Sequence, residues 1–100
     1  MTVLVVFTAK QTGDDLEGYG RMAQRMDELA RKMPGFLRID SARNKDGFGI
    51  TVSAWESEAH AASWKREAEH LGAQKLGRER WYEHYRVEVA EVTRSYSFKR

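Results

Sequence analysis

The sequence has no cysteine, so disulfides, thiolate-held metals and cysteine nucleophiles are excluded, and the composition suits a reducing cytoplasm. It also lacks a Gly-rich phosphate loop. Gly47 and Gly49 flank a hairpin signal, and Gly72 and Gly77 do not stand between a strand and a helix; no flavin or nicotinamide is therefore expected as a held cofactor. Neither sign of charge dominates. Seventeen Lys and Arg face 15 Asp and Glu, for a net charge of +2, and the two signs are interspersed, which argues against a nucleic-acid partner. The apolar run Val3 to Phe7 is too short for a signal segment and has no basic residue before it, and no later run approaches a membrane span. The expectation is a soluble, unprocessed cytoplasmic chain without a membrane partner. The three histidines, His60, His70 and His84, form no close helical pair of the zinc-binding kind, so no metal site is expected.

What is present is one domain's worth of chain. One hundred residues bury roughly 65% of their unfolded surface on folding, so a core without staples is feasible, and residues 1–100 read as a single domain. Thr2 to Ala9 is β-branched and aromatic, with Val3, Val5 and Phe7 on one alternating face and Leu4 and Val6 on the other, the pattern of a strand covered on both sides. Thr12 or Gly13 then caps a helix with Asp14, Asp15 and Glu17 in its first turn. Along it Leu16, Tyr19, Met22, Ala23, Met26, Leu29, Ala30 and Met33 keep the three-and-four spacing of one apolar face, and Pro34 and Gly35 end it.

Phe36 to Arg43 and Phe48 to Trp55 read as antiparallel strands joined by Asn44, Lys45, Asp46 and Gly47. In the second strand, Phe48, Ile50, Val52 and Ala54 make an aliphatic face, and Gly49, Thr51, Ser53 and Trp55 a mixed one; Trp55 is read as core. Ser57 caps a second helix through Ala59, Ala62 and Trp64, continuing through Ala68 and Leu71, with breaks allowed at Gly72 and Gly77. After the Gly77 to Tyr85 segment, Val87, Val89, Val92, Tyr96 and Phe98 form a last strand whose change of apolar phase calls for a β-bulge near Ala90. Strand, helix, strand, strand, helix, strand is the ferredoxin-like split βαββαβ order of an α+β domain, with both helices on one face of a four-stranded antiparallel sheet. Because the first strand is apolar on both faces, the other sheet face needs cover, and a homodimer is the expected cover.

Chemistry-bearing side chains concentrate between Trp55 and Tyr85, which holds all three Trp, all three His and two of the four Tyr. On a continuous helix His70, Gln74, Arg78 and Trp81 or Tyr82 would share one face, either a solvated polar side or one wall of a ligand pocket. Trp64 and His70 lie about 120° apart around an unbroken helix, so a cavity lined by both must be broad or the helix must bend. Arg78 can bind a ligand anion or pair with Glu79 or Glu83 at the surface. His60 can stack on Trp64 or stand in water at the helix start, and His84 reads as a surface histidine.

At these residues the chain resembles the antibiotic biosynthesis monooxygenase family, small proteins of the dimeric α+β-barrel superfamily with this element order. The resemblance spans nearly the whole chain. It rests on Trp55-Glu56-Ser57 leading into a helix with Trp64, on Glu69, His70, Ala73, Gln74, Gly77, Arg78, Trp81, Tyr82 and Tyr85, and on Arg94, Tyr96 and Phe98 near the end. It looks like a subgroup whose members mostly lack an assigned reaction. Understood relatives oxidise polycyclic phenols with dioxygen and no cofactor, or bind and degrade haem. Haem degraders carry an Asn on the first strand, where this chain has Phe7 or Thr8, and a His ten residues after the Trp, where it has Gln74; haem degradation is not carried over.

The resemblance implies a cofactor-independent monooxygenase-like enzyme, an oxidoreductase for a small aromatic or enolisable compound. His70 would be the base, Gln74 and Arg78 would orient or stabilise an anion, and Trp64, Trp81, Tyr82 and Tyr85 would form stacking walls. The alternative is a non-catalytic dimeric module on the same fold that binds a small ligand, or a stress-related protein without the chemistry.

Overall fold

A computed structural model describes residues 1–70, 75 and 77–100. Its elements are β1 (Val3–Gln11), α1 (Leu16–Ala30), β2 (Phe36–Arg43), β3 (Phe48–Trp55), α2 (Glu58–His70), a π-helical turn (Gly77–Trp81) and β4 (Tyr82–Glu91). The four strands form one antiparallel sheet in the order β2-β3-β1-β4. This is the ferredoxin-like arrangement expected from the sequence.

The local signals that hold are those whose physics is short-range. Asn44 closes the β2–β3 hairpin: its side-chain oxygen accepts from Asp46 N at 3.0 Å and Phe48 N at 3.1 Å, an Asx-type turn that fixes the strand register. Ser57 caps α2, its hydroxyl accepting from His60 N at 3.2 Å and meeting His60 Nδ1 at 2.8 Å. That bond settles His60. Its ring lies over Gly35, and the ring stacked on Trp64 is Trp55.

Four expectations are corrected. The N-cap of α1 is Asp15, whose side chain accepts from Gly18 N at 3.1 Å. Thr12 is used elsewhere: its hydroxyl accepts from Asp14 N at 3.0 Å and donates to Arg80 O at 2.7 Å. Leu16, counted on the apolar face of α1, is the first residue of the helix and is exposed. The continuous α-helical face proposed for His70, Gln74, Arg78 and Trp81 or Tyr82 does not run to its last members: Arg78 and Trp81 stand on the π-helical turn, and Tyr82 already belongs to β4. Gln74 lies outside the described residues, as do Leu71 and Gly72. Finally, β4 ends at Glu91 and pairs regularly with β1 from Glu91 to His84; the register shift lies at the other end, where Gln11 pairs with Tyr82 and Glu83 is skipped. No bulge is needed near Ala90, because Tyr96 and Phe98 are not ladder residues and stand 84% and 83% exposed.

The helices cover the sheet face that carries Val5, Phe7, Ile39, Ser41, Thr51, Ser53, Tyr85 and Val87. Trp55, fully buried, stacks on Trp64 of α2 at 5.9 Å between centroids and meets Phe36 edge-on at 5.7 Å, while its indole N–H donates to the buried Ser53 hydroxyl at 2.9 Å. Val3, Ala30 and Ala61 complete this close-packed end. The mixed face of β3 is thus the inner one. Its aliphatic face, with Leu4 and Val6 of β1 beside it, points away from the helices, leaving Phe48 39% and Ile50 43% exposed.

Gly35 joins the layers. Its φ is +81°, its carbonyl accepts from Glu56 N at 2.8 Å, and a Cβ there would fall 2.2 Å from His60 Cγ. Gly35→Ala is therefore expected to cost roughly 1–3 kcal/mol through the left-handed backbone alone, with a further loss from the collision. Adding His60→Ala should restore only the part of the loss due to the ring, because the His60 Cβ, 2.7 Å from the added methyl, remains. Thermal denaturation of Gly35→Ala and of the double variant, each against the matching Gly35 protein, reads the ring's share, and a Gly35→Ala protein melting with the parent would show that neither backbone nor collision operates.

Candidate functional site

Away from the Trp55 end, helices and sheet do not close on each other. They enclose a cavity of about 380 Å³. Its apolar walls come from Met22 and Met26 on α1, Trp64 and Ala68 on α2, Val5 and Phe7 on β1, and Val87 on β4. The spacing responsible is simple: Met22 and Met26, and Trp64 and Ala68, are one helical turn apart, and Val5 and Phe7 are two residues apart on a strand.

One end of the cavity is an aromatic cluster. Tyr85 stacks on Phe7 at 5.3 Å, Tyr82 meets Phe7 edge-on at 5.4 Å, and Tyr19 meets both Trp81 and Tyr82 edge-on at 5.8 Å. Such edge-to-face and offset contacts suit the ring quadrupoles. Burial pushes the Tyr82 phenol well above the ordinary tyrosine range, and its hydrogen bond with Tyr19 adds to this, against a smaller opposing effect of the Arg43 charge. Tyr82 is a neutral hydroxyl at any working pH.

The π-helical turn that delivers Trp81 is tied to the start of α1. Thr12 N donates to Trp81 O at 2.8 Å, Arg80 Nε lies 3.1 Å from Asp14 Oδ2, and Arg80 Nη1 lies 3.4 Å from Asp15 Oδ2, which also accepts from the Trp81 indole at 3.4 Å. The Trp81 end of the chain's aromatic stretch is thereby anchored.

Of the residues singled out from sequence, Trp64, Trp81, Tyr82 and Tyr85 all line the cavity. Arg78 is exposed and donates to the Tyr85 hydroxyl at 3.1 Å, so it orients a wall residue. His70 is the last described residue of α2, and its side chain, like the whole of Gln74, lies outside the described residues. His84 is exposed on β4. Among the described residues no group of three His, Asp or Glu side chains gathers to hold a metal, and no helix is long and apolar enough to cross a membrane.

The sequence reading missed the polar lining. Tyr19, Ser41, Arg43, Thr51, Ser53, Asp27, Glu58 and Lys65 border the cavity. Ser41 and Thr51, cross-strand partners, share a 2.8 Å hydroxyl hydrogen bond, and Arg43 donates to the Tyr19 hydroxyl while its guanidinium carbon stands 4.7 Å from that ring's centroid. The signal available was the alternation Ile39, Ser41, Arg43 on β2 in register with Thr51 and Ser53 on β3. It reads as a solvated face until the helices are placed over it.

A two-layer α+β domain with an aromatic-walled cavity between its layers is what the fold and cavity define. The chain belongs to the antibiotic biosynthesis monooxygenase family, whose model matches residues 2–76. It is 44% identical over 95 residues to the uncharacterized protein YqjZ of Bacillus subtilis, covering 95% of this chain and 82% of that protein. Among solved structures, Rv0793 from Mycobacterium tuberculosis superposes with a TM-score of 0.82 at 14% identity, covering 97% of this chain and all of the other. SnoaB, a cofactor-independent oxygenase from Streptomyces nogalater, superposes at 0.77 with 14% identity, covering 94% and 95% of the two chains. At such identities the likeness is one of fold.

Asp15 supplies a pH test of the anchor. The Gly18 N–H, then the Trp81 indole N–H and the Arg80 and Arg21 charges, hold its carboxyl below the usual carboxylate value. A folded pKa below the unfolded one of about 4 contributes stability that is complete above that value and is lost as pH falls through the folded pKa. Asp15→Asn keeps an acceptor for the cap but not the charge. Its melting temperature should fall below the parent's at neutral pH, with the gap closing in acid; a gap independent of pH would show that the charge is not what matters.

Proposed function

We propose that the protein is a cofactor-independent monooxygenase-like enzyme acting on a small aromatic or enolisable compound, working as a homodimer. The observation that carries this reading is the cavity, walled by Trp64, Trp81, Tyr82 and Tyr85, in a member of a monooxygenase family whose fold it shares with the oxygenase SnoaB. His70 is the proposed base. It removes a proton from the substrate, and the resulting carbanion or enolate supplies electrons to dioxygen, forming a hydroperoxide at carbon. Loss of water then breaks the O–O bond, so one oxygen stays as a carbonyl and the other leaves with the two hydrogens of the original CH2. Gln74 is assigned to orienting the anion, Arg78 to doing so through Tyr85, to whose hydroxyl it donates, and the four aromatic side chains to stacking against its rings.

The dimer rests on the uncovered sheet face. Leu4, Val6, Phe48, Ile50 and Val52 form an apolar stripe, flanked on the edge strands by the ion pairs Arg38–Asp40 at 3.4 Å and Arg86–Glu88 at 3.0 Å. Such a stripe with charged borders suits a second copy of the same face. Light scattering at micromolar concentration should give about twice the 11.6 kDa chain mass, and a monodisperse monomer would contradict the assignment.

Oxygen uptake with anthrones and quinols tests the reaction. His70→Gln should lower it by roughly a hundredfold or more without changing the melting temperature, since glutamine keeps a hydrogen bond but does not titrate near pH 7. Full activity in that variant would remove His70 as the base. One observation favours the binding-module reading: of the carboxylates that border the cavity, Asp27 is engaged by Arg31 at 2.9 Å. Ligand-induced thermal shifts without oxygen consumption would select that module.

A further inference from the structure

The cavity has a positive end built from residues that the reading above does not use. Arg43 ends β2, opposite Gly49 of β3. A Cβ on Gly49 would stand 3.1 Å from both Nε and Nη2 of Arg43, so the absent side chain leaves the floor on which the guanidinium lies. From there it reaches the hydroxyl and ring face of Tyr19 on α1. Two residues back along the strand, Ser41 and its cross-strand partner Thr51 add a pair of hydroxyls to the same lining.

Arg43 is paired with no described carboxylate, unlike four other arginines of the chain. Arg31 is bound by Asp27, Arg38 by Asp40, Arg80 by Asp14 and Asp15, and Arg86 by Glu88. Among the described residues no carboxylate lies within ion-pair distance of Arg43; its hydrogen bond is to the Tyr19 phenol, which leaves the positive charge unneutralised. Guanidinium presents five N–H donors in a planar fork suited to two oxygens at once, and Tyr19 engages one end of it. Of the carboxylates that border the cavity, Asp27 is itself paired with Arg31 at 2.9 Å, and Glu58 lies three residues after Trp55, at the close-packed end.

We propose that Arg43, held over Gly49 by Tyr19 and joined by Ser41 and Thr51, is the recognition site for the oxyanion of a flat aromatic ligand, a carboxylate or an enolate. This rests on reading the cavity as a ligand site, and it narrows the ligand from aromatic compounds in general to aromatic monoanions. Arg43 fixes which way round such a ligand lies, with rings against Phe7, Trp81, Tyr82 and Tyr85.

Paired probes of one shape test it: 9-anthracenecarboxylate and neutral 9-anthracenemethanol, with binding read by energy transfer from Trp64 and Trp81 at neutral pH. The parent protein should bind the carboxylate about tenfold or more tightly than the alcohol, as a charge-assisted fork implies. Arg43→Met should remove that preference while leaving the affinity for the alcohol within about twofold. Gly49→Ala, which displaces the guanidinium without removing it, should reduce the preference in part. Should Arg43→Met fail to fold, Arg43→Gln reads the same quantity. Equal binding of the two probes by the parent, or an undiminished carboxylate preference in Arg43→Met, would overturn the Arg43 assignment and leave the cavity as a ligand site. Binding of neither probe, with folded protein, would count against both.

Discussion

The stack of Trp55 on Trp64 decides how the two layers of this protein meet. It joins the end of β3 to the middle of α2, and Phe36, Val3, Ala30 and Ala61 close around it. Burying large rings supplies more apolar area per residue than any aliphatic side chain, so the packing of a small domain can be concentrated at one end. The remainder of the interlayer space is then free to stay open. A cavity beside a dense core is the structural result, and neither element alone would produce it.

At the open end the walls are held by polar ties rather than by mass. The π-helical turn carries Trp81 inward only because its carbonyls and arginine are bound by Thr12, Asp14 and Asp15 at the start of α1. Those residues precede the helix, where N–H groups lack helical partners and acidic side chains are stabilised. One cluster therefore caps a helix, fastens the turn before β4 and orients an indole. Substitution there acts on the cavity and on stability together.

Family membership and fold are separate from reaction. Proteins with 14% identity share this backbone, so the backbone cannot carry the choice of substrate. What distinguishes one member's cavity from another's is the lining, here including Arg43, Ser41 and Thr51. Tyr82, held as the neutral phenol by burial, offers the cavity a fixed donor or acceptor.

Sequence alone determined what depends on neighbours a few residues away. The bounds of β2 and β3, the Asn44 turn, the Ser57 cap and the apolar stripe of α1 each follow from local hydrogen bonds and periodicity, and the order of these elements leads to the sheet topology. Four wall residues of the cavity, Trp64, Trp81, Tyr82 and Tyr85, were legible for a related reason: large aromatics gathered in one stretch must pack on something. Tertiary structure decided the rest. A period-two strand does not say which of its faces meets the helices, and here the mixed face of β3 turned inward and the aliphatic one outward, because Trp55 must be buried and is in phase with Thr51 and Ser53. Arg43 and Tyr19 are 24 residues apart, and Thr12 and Arg80 are 68 apart; no periodicity links such pairs. They meet only once helix and sheet are stacked, which is why the polar end of the cavity is written in the fold and not in any stretch of the chain.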